Sequence, residues 1–126
     1  DLMHWEIGDH GFAMGLSPLV PETVGAALLP WLRDWLKDQS IDLEAVASWA
    51  VHPGGPRILS TCAEVLSLGP DHLRESRGIL QDHGNMSSAT ILFILDRLRR
   101  RSTPGPCLAL AFGPGLSAEV ALFDFQ

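Results

Sequence analysis

The chain has 126 residues, is 46% hydrophobic and carries a formal net charge of −6. That length suits one domain around one core, and an acidic chain whose basic residues form no broad patch argues against a nucleic-acid surface. No apolar run reaches bilayer-spanning length and no signal peptide is visible; the two cysteines, Cys62 and Cys107, lack ligand spacing, so neither a metal site nor a disulfide framework is expected, and a reducing, cytoplasmic compartment fits.

In chain order, Asp1-Leu2-Met3 leads straight into the alternating strand Met3-His4-Trp5-Glu6-Ile7. With no start residue and no lead-in, the chain is expected to begin inside a longer protein. Residues 8–15 are glycine-rich and contain His10 and Met14, and 17–21 read as an extended segment bearing Pro18 and Pro21. Val24, Leu28, Trp31, Leu32 and Trp35 have helical spacing over 22–37. Pro30 either kinks that helix or starts a second one. Residues 46–51 form a short apolar run, a buried strand that ends at His52. Ile58, Leu59, Cys62, Val65 and Leu66 mark one face of a helix closed by Gly69-Pro70. Asp71 is expected to cap a helix over 72–81. A helix over 86–101 is apolar on most faces and is expected to be buried; its basic end, Arg97 to Arg101, complements the helix dipole. Residues 107–111 and 119–125 read as strands around the tight turn Phe112-Gly113-Pro114-Gly115. Strands alternating with helices predict an α/β layered domain, and two consecutive final strands predict a mixed sheet packed with helices.

Two stretches carry the chemistry. In Asp82-His83-Gly84-Asn85, the asparagine stands where the last helix begins. There it either caps the backbone or points a donor at a ligand. In His52-Pro53-Gly54-Gly55-Pro56, a histidine at a strand end is held by prolines with fixed φ. It is either a corner residue or, jointly with Asn85, a donor to a developing oxyanion. Neither role needs a metal. His4, His10, His72 and His83 lack ligand spacing and read as surface or loop residues. No convincing nucleophile accompanies His52. Cys62 falls on the apolar face of a helix and Cys107 inside a strand, where a thiol is inert. Ser60 and Ser87 do not sit on a strained Gly-x-Ser-x-Gly elbow.

Trp49-Ala50-Val51-His52-Pro53-Gly54-Gly55-Pro56, then Gly84-Asn85-Met86-Ser87-Ser88-Ala89 running into Leu92-Phe93-Ile94-Leu95-Asp96, then Phe112-Gly113-Pro114-Gly115-Leu116, resemble the C-terminal half of type III polyketide synthases, the chalcone- and stilbene-synthase-like enzymes. The order and spacing agree, and the segment from Trp5 to Pro21 resembles the family's strand and active-site loop. Nearly the whole chain, 1–126, is covered. Ketoacyl synthases also use histidine and asparagine, with different flanking residues.

The resemblance implies the second half of a thiolase-like α/β fold and a Cys-His-Asn site. By likeness, His52 and Asn85 match the catalytic histidine and asparagine. The nucleophilic cysteine belongs to the first half, absent from this chain, so the chain alone is expected to be inactive. Ser87, Gly113 and Pro114 match positions at the cavity, Arg57 one near the pantetheine tunnel, and Met14 one where plant enzymes carry a gatekeeping phenylalanine. Ala111 replaces the first glycine of the plant Gly-Phe-Gly-Pro-Gly. Both departures argue against assuming a chalcone-type product; a bacterial member with another starter, such as a fatty acyl chain, fits as well. The implied partners are the N-terminal half, an acyl-CoA starter, malonyl-CoA and a second copy in a homodimer, with coenzyme A thioesters as substrates and no cofactor, nucleic acid or membrane. The alternatives are a single-condensation ketoacyl synthase-like enzyme, a thioesterase-like relative, or a non-catalytic half-domain acting as a structural partner.

Overall fold

A computed structural model of the chain describes residues 2–125, with the side chains of Trp5, Phe12, Met14 and Leu16 outside the description. Two strands, β1 (Met3–Gly8) and β2 (Gly11–Leu16), pair antiparallel from Met3 opposite Leu16 to Gly8 opposite Gly11. The glycine-rich stretch 8–15 is therefore the turn and most of the second strand of a hairpin. Its glycines have structural reasons. Gly11 leaves the turn at φ 123, and a Cβ on Gly15 would collide with the His4 ring. Glycine dilutes a strand's side-chain pattern, which hides the strand from a periodicity reading.

Helix α1 (Val20–Asp38) starts earlier than its spacing suggests and takes up the last two residues, Val20 and Pro21, of the segment expected to be extended. Pro21 sits in its first turn, where a missing N–H removes no helical bond. The helix runs through Pro30 without a second start. Val20, Val24, Leu28, Leu32 and Leu36, four apart, make its buried face.

A three-stranded sheet forms the centre. Its strands are β3 (Ser48–Val51), β4 (Pro106–Gly113) and β5 (Ser117–Asp124), in that order across the sheet. β3 runs parallel to β4 and β5 antiparallel to it, the expected mixed sheet. Between β3 and β4 lie α2 (Pro56–Val65), α3 (Arg74–His83) and α4 (Ala89–Arg101). Alternate strand residues face opposite ways. Trp49, Val51, Leu108 and Leu110 join α1 and α2 in one buried cluster. Ala50, Cys107 and Ala109 join Ile79 of α3 and Ile94 and Leu98 of α4 in another. A sheet covered on both faces explains why β3 and the buried part of β4 read as continuous apolar runs.

Two helix readings change. Asp71 does not cap α3, which begins at Arg74 behind Leu73; Asp71 instead pairs with the Arg74 guanidinium, which holds its carboxyl below the usual range. And α4 is not buried all round. Thr90, Ile94 and Leu98 are buried, while Leu92 and Phe93 are 65% and 48% exposed. Within this chain only one face of α4 is covered. Its basic end is solvated and tied down: Arg99 and Arg100 pair with Asp96, Arg97 with Asp82 at 2.7 Å, and Arg101 with Glu75 at 3.2 Å. Among the described residues, no helix is long and apolar enough to cross a membrane.

Candidate active site

β3 delivers His52 to the site. The strand ends at Val51, and the next amide, His52 N–H, donates to the Leu110 carbonyl at 2.8 Å on β4. The His52 carbonyl accepts from Gly54 N–H at 3.0 Å, closing a tight turn. Pro56 then opens α2 in the first turn. The backbone on both sides of the imidazole is thus fixed. Burial pushes the His52 pKa below its ordinary value, so the neutral ring is favoured within this chain.

The turn between α3 and α4 delivers Asn85. Gly84 takes φ 72 while its N–H donates to the Leu80 carbonyl at 2.9 Å, a conformation suited to glycine. Asn85 is not the cap of α4, whose first helical residue, Ala89, follows Ser88. Its Oδ1 instead accepts Ser87 N–H at 2.8 Å in an Asx turn. A backbone N–H only donates, so the amide oxygen must face it, and the Nδ2 end stays available as a donor. Ser87 adopts φ 59, and Met86 N–H donates to Thr90 Oγ1 at 2.8 Å.

The β4–β5 turn supplies the third wall. Gly113 is the last residue of β4, and a Cβ there would lie 2.9 Å from Ser117 Oγ. Gly115 and Leu116 follow with φ 73 and 54.

These three segments meet at one cleft of about 580 Å³, where His52, Asn85, Ser87, Gly113 and Pro114 share the lining. Arg57, exposed on the first turn of α2, is not among its lining residues. Met14 lies on β2 opposite Trp5, with its side chain outside the described residues. A histidine and an amide converging on largely apolar walls can donate to one oxygen that gains negative charge. Neither thiol of the chain lines that cleft. Cys62 is fully buried and its pKa is pushed up to about 12; burial also raises that of Cys107. Among the described residues no group of three His, Cys, Asp or Glu side chains could hold a metal ion.

The model of the family described as chalcone and stilbene synthases, C-terminal domain, matches residues 2–124. The chain belongs to this family.

Within it, the domain is 34% identical over 124 residues to the 1,3,6,8-tetrahydroxynaphthalene synthase of Streptomyces peucetius, covering 96% of this chain and 33% of that protein. It is 47% identical over 74 residues to the type III polyketide synthase pspB of Penicillium soppii, covering 59% and 19%. The crystal structure of PKS-I from the brown alga Ectocarpus siliculosus superposes with a TM-score of 0.89 at 29% identity, over 95% of this chain and 34% of that one. The fold is accordingly the C-terminal half of a thiolase-like fold. The chain spans about a third of the length of such relatives.

The chalcone and stilbene synthase domain also lines its cleft with residues that the sequence reading did not single out as site residues. Ile58, one turn into α2, and Ile91, one turn beyond Ser87, complete the apolar wall with Phe112. Helical spacing from the motif residues would have found both isoleucines. Met3 reaches the cleft from the hairpin, and nothing in the local pattern marks it.

Proposed function

We propose that this domain supplies the decarboxylation and condensation half of a type III polyketide synthase active site, completed by an N-terminal half that carries the nucleophilic cysteine. The observation that carries this reading is the sharing of one cleft by His52 and Asn85, the latter with a free amide donor. The absence of a usable thiol within the chain supports a cysteine from outside it. The uncovered apolar residues of α4, Leu92 and Phe93, supply the face on which the N-terminal half would rest.

The steps follow from those groups. A starter acyl group passes from coenzyme A to the cysteine thiolate, and coenzyme A leaves as its thiol. The neutral His52 ring takes the cysteine thiol's proton to form an imidazolium beside that thiolate, where the opposite charge raises the pKa that burial lowers, and it returns the proton to the departing coenzyme A sulfur. Malonyl-CoA then loses carbon dioxide. The electron pair of the broken C–C bond moves into the thioester, and negative charge develops on its oxygen. His52 and Asn85 Nδ2 donate to that oxygen, an arrangement in which losing one donor costs about 10²–10³ in rate. The enolate carbon attacks the cysteine thioester, a new C–C bond forms and the thiolate departs. Malonyl-CoA and acyl-CoA are the substrates, and no cofactor takes part.

The test is incubation of the full-length protein with an acyl-CoA series and malonyl-CoA, with products read by mass. A product extended by two or more malonyl-derived units is expected. One extension only would move the assignment to a single-condensation enzyme, and no extension with any starter would remove the catalytic reading.

A further inference from the structure

We propose that Ser76 and Thr90 are paired positioning residues, each using a buried hydroxyl to fix the backbone amide beside one of the two site residues. The proposal rests on the assignment of His52 and Asn85 given above. Ser76 and Thr90 are both 0% exposed. Ser76, on α3, accepts the N–H of Val51 at 3.1 Å, and Val51 directly precedes His52. Thr90, in the first turn of α4, accepts the N–H of Met86 at 2.8 Å, and Met86 directly follows Asn85. The two bonds therefore occupy equivalent places, one residue from each donor to the cleft.

The topology explains why hydroxyls are used. Among the described residues β3 pairs only with β4, so it is an edge of the three-stranded sheet. A buried edge amide needs a partner from elsewhere, and α3 brings Ser76 to it. His52 N–H bonds to β4 in the opposite direction, so successive amides at the strand end are tied to α3 and to β4. At the other donor, Ser87 stands at φ 59 and Gly84 at φ 72. The segment between them cannot use regular helix bonds. Thr90 Oγ1 replaces one such bond at Met86, while Asn85 Oδ1 holds Ser87. Loss of either hydroxyl frees the adjoining backbone, and misplacement by about 1 Å can cost about 10²-fold in rate. A hydroxyl that only satisfies a buried amide would affect stability and leave turnover intact. The positioning role predicts a turnover defect.

The experiment measures malonyl-CoA decarboxylation by the full-length protein and by Ser76→Ala, Ser76→Thr, Thr90→Val and Thr90→Ser, with His52→Gln and Asn85→Ala as controls. Thr90→Val keeps the shape and removes the acceptor. Ser76→Thr and Thr90→Ser keep the acceptor. The expected result is a kcat lowered about 10- to 100-fold in Ser76→Ala and Thr90→Val, KM within about twofold, and recovery in Ser76→Thr and Thr90→Ser. If the control variants are impaired while Ser76→Ala and Thr90→Val keep kcat within about twofold, the positioning role is overturned and the site assignment stands. A loss of kcat that the hydroxyl-retaining variants share equally also overturns it, because volume would then matter and not the acceptor. If His52→Gln and Asn85→Ala decarboxylate like wild type, the underlying assignment fails and this proposal with it.

Discussion

The side-chain oxygen of Asn85 accepts the backbone N–H of Ser87 at 2.8 Å, and that bond orients the amide. With the oxygen committed to Ser87, the NH₂ end is the group left for a ligand. Asn85→Asp therefore separates two roles. The carboxylate can still accept Ser87 N–H, but it cannot donate, and it brings a negative charge towards the anion that the proposed mechanism develops there. Thermal stability should be close to wild type, whereas decarboxylation by the full-length protein should fall by at least about 10²-fold. Full activity in Asn85→Asp would show that no donor is needed at this position.

His52 makes stability depend on pH. Its pKa is lowered from 6.5 by burial, so below pH 6.5 the unfolded chain takes up a proton that the folded chain resists. The stabilisation is present above the unfolded value and is lost as pH falls towards the folded one. Asp71 and Asp96, held down by arginines from an ordinary 3.8, act in the same direction but at lower pH. Urea unfolding of the domain at pH 7.5, 6.5, 5.5 and 5.0 should show declining stability, with a shallower decline in His52→Gln. Equal slopes in the two proteins would remove the buried-imidazole account.

Both cysteines should resist alkylation in the folded domain. Cys62, with a pKa pushed up to about 12, has almost no thiolate at neutral pH, and Cys107 is fully buried. Iodoacetamide at pH 7.5 should label neither until denaturant is added, as read by intact mass. Rapid labelling of the native domain would restore a nucleophile candidate to this chain.

Leu92, 65% exposed on α4, distinguishes the domain by itself from the completed fold. In the 126-residue chain Leu92→Ser should change stability by no more than about 0.5 kcal/mol, as for other exposed positions. In the full-length protein, where the proposed N-terminal half covers α4, the same change should cost at least about 2 kcal/mol. Denaturant midpoints of the two pairs of proteins give the comparison. Equal small costs in both would mean that α4 stays uncovered.

Removal of the Ser76 hydroxyl leaves the Val51 amide buried without its partner. Ser76→Ala should destabilise the domain by about 1–3 kcal/mol, and the Val51 amide should lose protection in hydrogen exchange. Protection retained at Val51 would place the stabilising bond elsewhere.

Much of this arrangement is legible in the sequence because its signals are local. Val51-His52-Pro53 marks a strand end by apolar run and proline, and Phe112-Gly113-Pro114-Gly115 marks a reversal. Burial of both sheet faces is equally plain in the unbroken apolar runs of β3 and β4. What was hidden depends on tertiary partners. The second hairpin strand was masked by Gly11 and Gly15, whose absent side chains serve the turn and the His4 ring. Of the two roles the sequence leaves open for Asn85, the cap is not taken, because Ser87 at φ 59 keeps the segment out of the helix and α4 begins at Ala89. Ser76 and Thr90 did leave a trace: Leu73, Ser76 and Ile79 lie three apart, and Thr90, Ile94 and Leu98 four apart, each a polar residue on a buried face. Their partners, backbone amides near the cleft, leave no trace in composition or periodicity. The full burial expected of α4 rests on its sequence, while the described chain covers only one side of it.

The most direct test of the account is carbon dioxide release from malonyl-CoA by the full-length protein, compared with His52→Gln and Asn85→Ala. Measurable release by the wild type and a loss of about 10²–10³-fold in each variant are expected, with folding unchanged by circular dichroism. Release at the wild-type rate in both variants would contradict the claim that these two side chains hold the enolate oxygen.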